Sequence, residues 1–145
     1  MSPHIKVLIL NWNGSALTSQ CLASIEKLTY DNFSIMVIDN ASSDDSIANI
    51  HENYPSVDVL ALDKNYGFGP AYNLAFKHLE NYQSEFILIL NNDTTVESDL
   101  LDRLEEGINL YGSEHLFCPI IHYFDSPNKI WYAGGKVNLP TGQLA

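Results

Sequence analysis

Four groups of residues in this 145-residue chain have the types and spacing to do chemistry. The first is Asn91-Asn92-Asp93-Thr94-Thr95, which directly follows the apolar run Phe86-Ile87-Leu88-Ile89-Leu90. A carboxylate among amides and hydroxyls offers hard oxygen ligands suited to Mg²⁺ or Mn²⁺, which makes Asp93 the candidate metal ligand. The same residues would also serve simply to turn the chain and cap a helix. The second group is Asp39, again just past an apolar run, where a carboxylate is placed to accept hydrogen bonds from a base N–H or a sugar hydroxyl. The third is Asn11-Trp12-Asn13, whose amides can hydrogen-bond a nucleobase or ribose. Trp12 is suited to stacking on a ring or to filling core, and filling core is the commoner use. The fourth is the loop Lys64-Asn65-Tyr66-Gly67-Phe68-Gly69-Pro70. There Gly67 and Gly69 allow close backbone approach, and Pro70 suits the start of a helix. Lys64 can reach a phosphate, but reads more simply as a solvated lysine.

The elements that must position these groups are legible from periodicity. Runs rich in β-branched and aliphatic residues predict strands at 5–10, 33–38, 57–62 and 86–90. Helical spacing relates Leu17, Cys21, Ile25 and Leu28, with Ser15 as N-cap. A second helix carries Ile47, Ile50 and Tyr54, capped by Ser42 or Ser43 and closed by Pro55. Asp44 and Asp45 near its start are favoured by the helix dipole and read as structural. Ala71, Leu74, Ala75 and Leu79 form a third apolar face. Leu100, Leu101, Leu104, Ile108 and Tyr111 form a fourth, stopped by Gly112.

Strands alternating with helices predict an α/β domain with a doubly wound, mostly parallel sheet. Ligands of such sheets bind at the carboxyl edge, so Asp39 and Asp93 are expected there together. The unbroken run at 86–90 predicts a strand covered on both faces. Further on, residues 115–124 read as extended and broken by Pro119. A turn at 125–128 then leads into 129–133, giving a hairpin. Residues 136–145 look irregular. The expected organisation is one domain, 1–145, with a nucleotide-binding core at 1–112 and the start of an acceptor-side region at 113–145.

Composition narrows the function. A net charge of −11 with Arg103 as the only arginine excludes a phosphate-backbone footprint, so no nucleic-acid partner is expected. The same scarcity means that a bound diphosphate would need backbone amides, a lysine or a cation to neutralise it. No apolar run approaches the roughly 20 residues that span a bilayer, and the first residues lack signal-peptide form, which predicts a cytoplasmic protein. Cys21 and Cys118 lie in apolar contexts without Cys-x-x-Cys spacing and read as reduced core thiols. The histidines show no ligand spacing. A dinucleotide fold would want Gly-x-Gly-x-x-Gly after the first strand, where only Gly14 stands, and no Gly-Lys-Ser/Thr occurs.

Four motifs in order, Asn11-Trp12-Asn13-Gly14, residues 37–46 around Asp39, residues 65–73 around Gly67, and residues 88–96 around Asp93, resemble family 2 glycosyltransferases over nearly the whole chain. The rhamnosyltransferase-like branch is the most similar. The resemblance implies a GT-A fold and inverting transfer of a sugar from a nucleoside diphosphate donor, UDP- or dTDP-linked, to a saccharide or lipid-linked acceptor. A lipid-linked acceptor would place the protein at the inner face of the membrane. It implies donor contacts from Asn11, Trp12, Asn13, Asp39, Asn65, Gly67, Asn91 and Asn92, and Mn²⁺ or Mg²⁺ on Asp93. Asn91 stands where the family's metal motif has its first aspartate, and is a weaker ligand. The family's general base lies later in the domain, so it is expected beyond Ala145, and the fold is expected to be incomplete at its carboxyl end. The rival from another class is a non-catalytic module with a degenerate site.

Overall fold

A computed structural model describes residues 2–79 and 84–135, and the backbone of 137–138 and 143–144. The chain divides into two compact units, Met1–Asp102 and Arg103–Ala145.

In the first unit, β1 (Ile5–Asn11), β2 (Phe33–Asp39), β3 (Asp58–Ala61) and β4 (Phe86–Asn91) form one sheet in the order β3-β2-β1-β4. All three pairings are parallel. The helices α1 (Ser15–Ile25), α2 (Ser46–Asn53) and α3 (Phe68–His78) make the crossovers, as the alternation of periods predicts. Successive side chains of a strand point to opposite faces, and each face of this sheet has its own core. Val7, Ile9, Ile35 and Val37 pack with Cys21, Leu22 and Ile25 of α1 and Ile50 of α2. Leu8, Met36 and Ile38 pack with Ala71, Tyr72 and Ala75 of α3. The sheet is therefore doubly wound. Lys6 is also interior, 1% exposed, with Nζ 2.7 Å from Asp58 Oδ2.

The register decides the site. Asn11 pairs with Asp39, and Leu10 with Asn91, so three strands end level at one edge. Asp39 and Asp93 share that edge, as expected.

Several local expectations are corrected. β4 is not covered on both faces: Leu88 and Leu90 join the α1 side, while Ile87 and Ile89 are exposed. The reason is its place outside β1, where the α3 cluster takes no β4 residue. Gly14, not Ser15, is the N-cap of α1, and Leu17 is exposed while Thr18 is buried in its stead. Neither Ser42 nor Ser43 caps α2. Its N-cap is Asp45, and the Ser46 amide is held by Asp44 Oδ1 at 3.1 Å. Asp44 also accepts from the Ser15 amide at 3.2 Å, so one carboxylate serves the starts of two helices.

α4 (Leu100–Tyr111) crosses from the first unit into the second and ends at Gly112, whose φ of 91° and bond to Ile108 O make the expected stop. In the second unit β5 (Ile121–Tyr123) pairs antiparallel with β6 (Ser126–Tyr132). Tyr123 stands opposite Ser126, so the turn is tighter than predicted and Ser126 to Asn128 lie in the strand. Residues predicted to be irregular include another antiparallel pair, β7 (Val137–Asn138) with β8 (Gln143–Leu144). Cys21 is buried as expected, but Cys118 is exposed.

Candidate functional site

The carboxyl edge of the sheet carries two kinds of polar residue. On the β1–β2 side they are hydrogen-bonded to one another, and Asn11 and Asp39 are buried. Asn11 is 0% exposed and Asp39 1%. Asn11 Nδ2 donates to Asp39 Oδ1 at 2.7 Å and to Ser42 Oγ at 3.1 Å. The other Asp39 oxygen accepts from the Ser42 amide at 2.9 Å. Ser42 Oγ also accepts from the Asn13 amide, and Asn13 Oδ1 in turn accepts from the Ser43 amide at 2.7 Å. These bonds tie the loop after β1 to the loop after β2. They hold Asn13 and Ala41 at φ of 49° and 60°, a region that residues other than glycine enter at a cost.

A neighbouring clamp holds the loop before α3. Asn40, 2% exposed, donates through Nδ2 to Asn65 Oδ1 at 2.9 Å and accepts the Tyr66 amide on Oδ1. Asn65 Oδ1 also takes the Gly67 amide at 2.8 Å. Gly67 has φ 78°, so glycine is required there for conformation rather than for space. Lys64 places its ammonium 5.0 Å from the centroid of the Tyr66 ring.

On the β4 side the edge is open. Leu10, Trp12, Phe68, Asn91, Asn92 and Asp93 line a cleft of about 260 Å³. Trp12 is 58% exposed, which corrects the expectation that it fills core. Phe68 is 59% exposed and meets Tyr72 edge to face at 5.0 Å. Of the sequence-predicted site residues, Trp12, Asn91, Asn92 and Asp93 thus come together. Asn11, Asn13, Asp39, Asn65 and Gly67 are absent from the lining and engaged in the loop clamps.

The turn bearing Asp93 is held from below. Thr94 Oγ1 donates to Asn91 O at 2.6 Å, and the Cys21 thiol lies 3.8 Å from the same oxygen. Burial pushes that thiol up to about 11; a Thr94 hydrogen bond opposes this, and the nearby Asp93 charge adds to it. Cys21 therefore stays protonated near neutrality. Tyr72, whose hydroxyl donates to Leu90 O at 3.3 Å, is likewise pushed by burial up to about 12.

Asp93 is exposed. Among the described residues no three His, Cys, Asp or Glu side chains converge as a metal cage. A single open carboxylate is the donor set that Mg²⁺-like cations use when substrate phosphates and water supply the remaining ligands. Asp93 fits a cation shared with a diphosphate, not one held by protein alone.

The sequence reading missed Thr18, Asn40, Ser42 as a loop tie, and Phe68. The signal available for Asn40 and Ser42 was their position within three residues after Asp39. For Thr18 it was only a polar residue on the helical face of Cys21 and Ile25.

The glycosyl transferase family 2 model matches residues 6–143. The chain belongs to glycosyltransferase family 2. Among family relatives, the GalNAc(5)-diNAcBac-PP-undecaprenol beta-1,3-glucosyltransferase of Campylobacter jejuni is 27% identical over 79% of this chain and 37% of its own length. The Bacillus subtilis glycosyltransferase EpsH is 27% identical over 71% of this chain and 30% of its own. This chain thus spans about a third of the length of these curated relatives. Two solved structures share the fold. One is the mannosyltransferase PcManGT from Pyrobaculum calidifontis in complex with GDP-Man and Mn²⁺, with TM-score 0.63 and 22% identity over 70% of this chain and 31% of that one. The other is S. aureus TarS 1-349 in complex with UDP-GlcNAc, with TM-score 0.65 and 19% identity over 85% of this chain and 41% of that one. A mostly parallel sheet with helices on both faces is the GT-A-like arrangement these neighbours share.

Proposed function

We propose that this chain is the donor-binding region of a family 2 glycosyltransferase that passes a sugar, with inversion, from a UDP- or dTDP-linked donor to a saccharide or lipid-linked acceptor. The observation that carries the reading is the open cleft at the carboxyl edge. It joins the exposed Asp93 carboxylate to two exposed aromatic rings, and among the described residues no cationic side chain lines it. A diphosphate entering such a cleft meets a negative charge, so its binding calls for a divalent cation on Asp93. When bound, Mn²⁺ or Mg²⁺ would offset the charge that develops on the leaving diphosphate.

The chain's own residues then divide the work. Trp12 offers a flat apolar surface for a nucleobase. Asn91 offers an amide to the ribose. The hydrogen bonds that engage Asn11, Asp39, Asn13, Asn65 and Gly67 favour a framing role, holding the three loops that border the nucleotide. The four motifs support the rhamnosyltransferase-like branch. Among the described residues no helix is long and apolar enough to cross a membrane. A lipid-linked acceptor would be met at the cytoplasmic face of the membrane.

Calorimetric titration with UDP, dTDP and GDP, each in Mn²⁺ and in EDTA, tests this. Mn²⁺ should tighten binding of at least one nucleotide, and Asp93→Asn should remove roughly ten- to a hundredfold of that gain while the fold persists. An Mn²⁺ effect of the same size in Asp93→Asn would sink the assignment. Metal-dependent nucleotide binding by a longer protein that transfers no sugar would favour the non-catalytic module.

A further inference from the structure

Thr18 lies on α1, outside the cleft lining, is 0% exposed, and sits at a junction of side chains that reaches both parts of the sheet edge. Its hydroxyl donates to Asn11 Oδ1 at 2.8 Å and accepts from Asn92 Nδ2 at 3.1 Å. Asn92 Nδ2 also approaches Asn11 Oδ1 at 3.3 Å. Asn11 commits its remaining amide protons to Asp39 and Ser42. The orientation of the Asn11 carboxamide is therefore fixed from both ends, and Asn92 is drawn inward although it borders the cleft.

Space for this was left by a glycine. A Cβ at Gly14 would stand 2.6 Å from Asn92 Nδ2 and 3.1 Å from Asn11 Oδ1. Asn92 immediately precedes Asp93. Beside the weak Cys21 contact and the bond from the Val96 amide to Ser24 Oγ at 3.1 Å, its side chain ties that turn to β1 and α1.

We propose that Thr18 is a positioning residue for the metal-binding turn: through Asn92 it sets where the Asp93 carboxylate stands, and through Asn11 it joins that turn to the Asp39 loop. This rests on the assignment of Asp93 as the metal ligand. A hydroxyl both donates to Asn11 and accepts from Asn92 through one atom. Valine has the same shape and can do neither, whereas serine can do both.

The test is UDP titration of the full chain in Mn²⁺ and in EDTA for wild type, Asp93→Asn, Thr18→Val, Thr18→Ser and Asn92→Ala. Thr18→Val should lower the Mn²⁺-dependent gain about tenfold and leave affinity in EDTA within about twofold, a split that loss of general stability would not produce. Thr18→Ser should restore the gain. Asn92→Ala, which also removes a group that borders the cleft, should lower that gain at least as much, and an undiminished gain there decides against the proposal if Thr18→Val does not fold. An undiminished gain in Thr18→Val or Asn92→Ala, beside an abolished gain in Asp93→Asn, overturns this proposal alone. Equal losses with and without Mn²⁺, or no recovery in Thr18→Ser, reduce Thr18 to packing and also overturn it. No Mn²⁺ gain in wild type, or one unaffected by Asp93→Asn, overturns the metal assignment and this proposal with it.

Discussion

Asp39 and Asp93 follow or end strands that flank β1 at the same sheet edge and are the same residue type, yet their surroundings differ completely. Asp39 is 1% exposed and has both oxygens in use within the protein. Asp93 is exposed and lines an open cleft. On the proposed assignment, the buried carboxylate with both oxygens hydrogen-bonded holds the frame, and the exposed one is open to a cation. Burial and hydrogen bonding distinguish the two carboxylates, where residue identity and position on the fold do not.

The sharpest way to break this contrast is to remove each carboxylate in turn. Asp39→Ala leaves the buried Asn11 amide and the Ser42 N–H short of an acceptor, and should cost about 2–4 kcal/mol in urea unfolding. Asp93→Asn should cost less than about 0.5 kcal/mol in the same assay. Equal costs would abolish the distinction.

Trp12→Ala refines the open side. Its ring is largely exposed, so stability should change little, while nucleotide affinity should fall about three- to tenfold. A large loss of stability with unchanged affinity would return Trp12 to the core.

Asp44 refines the framed side, since it serves two helix starts from an exposed position. Slight burial tends to raise its carboxyl, but hydrogen bonds from Ser46 and Ser15 prevail and hold it below the usual carboxylate range. Its folded pKa is thus the lower one. The stability it contributes is present above the unfolded pKa of about 3.9 and is lost as pH falls through the folded value. Asp44→Ala should cost about 0.5–1 kcal/mol near neutral pH, with the gap to wild type closing below about pH 4. A gap unchanged down to pH 3 would remove its capping role.

The smallest effect concerns the thiols. Iodoacetamide at pH 8 should modify the exposed Cys118 and spare Cys21, which is buried and pushed up to about 11. Rapid labelling of Cys21 in folded protein would mean that the turn above it opens readily.

How much of this was legible in sequence follows from how local each signal is. β1 and β2 are apolar on both faces because helices cover both, and their runs announce it. β4 has the same run, but its outer residues face solvent, because the cover comes from α3 and that helix packs on β1 and β2. Composition of a strand does not record its place in the sheet order. At the site, Asp93 was marked by its abrupt position after an apolar run. Thr18 and Asn40 carried no such mark: which amide meets which hydroxyl depends on a register between segments tens of residues apart. Trp12 was misjudged because an aromatic beside a buried strand is usually core, whereas here it lies past the strand's end and is 58% exposed.

The uncovered side of β4 has a colloidal consequence. Ile87 and Ile89 lie exposed on a strand that, among the described residues, is the last of its sheet, the arrangement that invites edge-to-edge pairing between molecules. A net charge of −11 opposes such encounters by mutual repulsion, and repulsion between molecules has a range set by dissolved salt. That range shrinks from about 30 Å at 0.01 M to about 3 Å at 1 M ionic strength. Dilute buffer should therefore keep the molecules apart, and concentrated salt should let the isoleucines of different copies meet, with light scattering rising as sodium chloride is added.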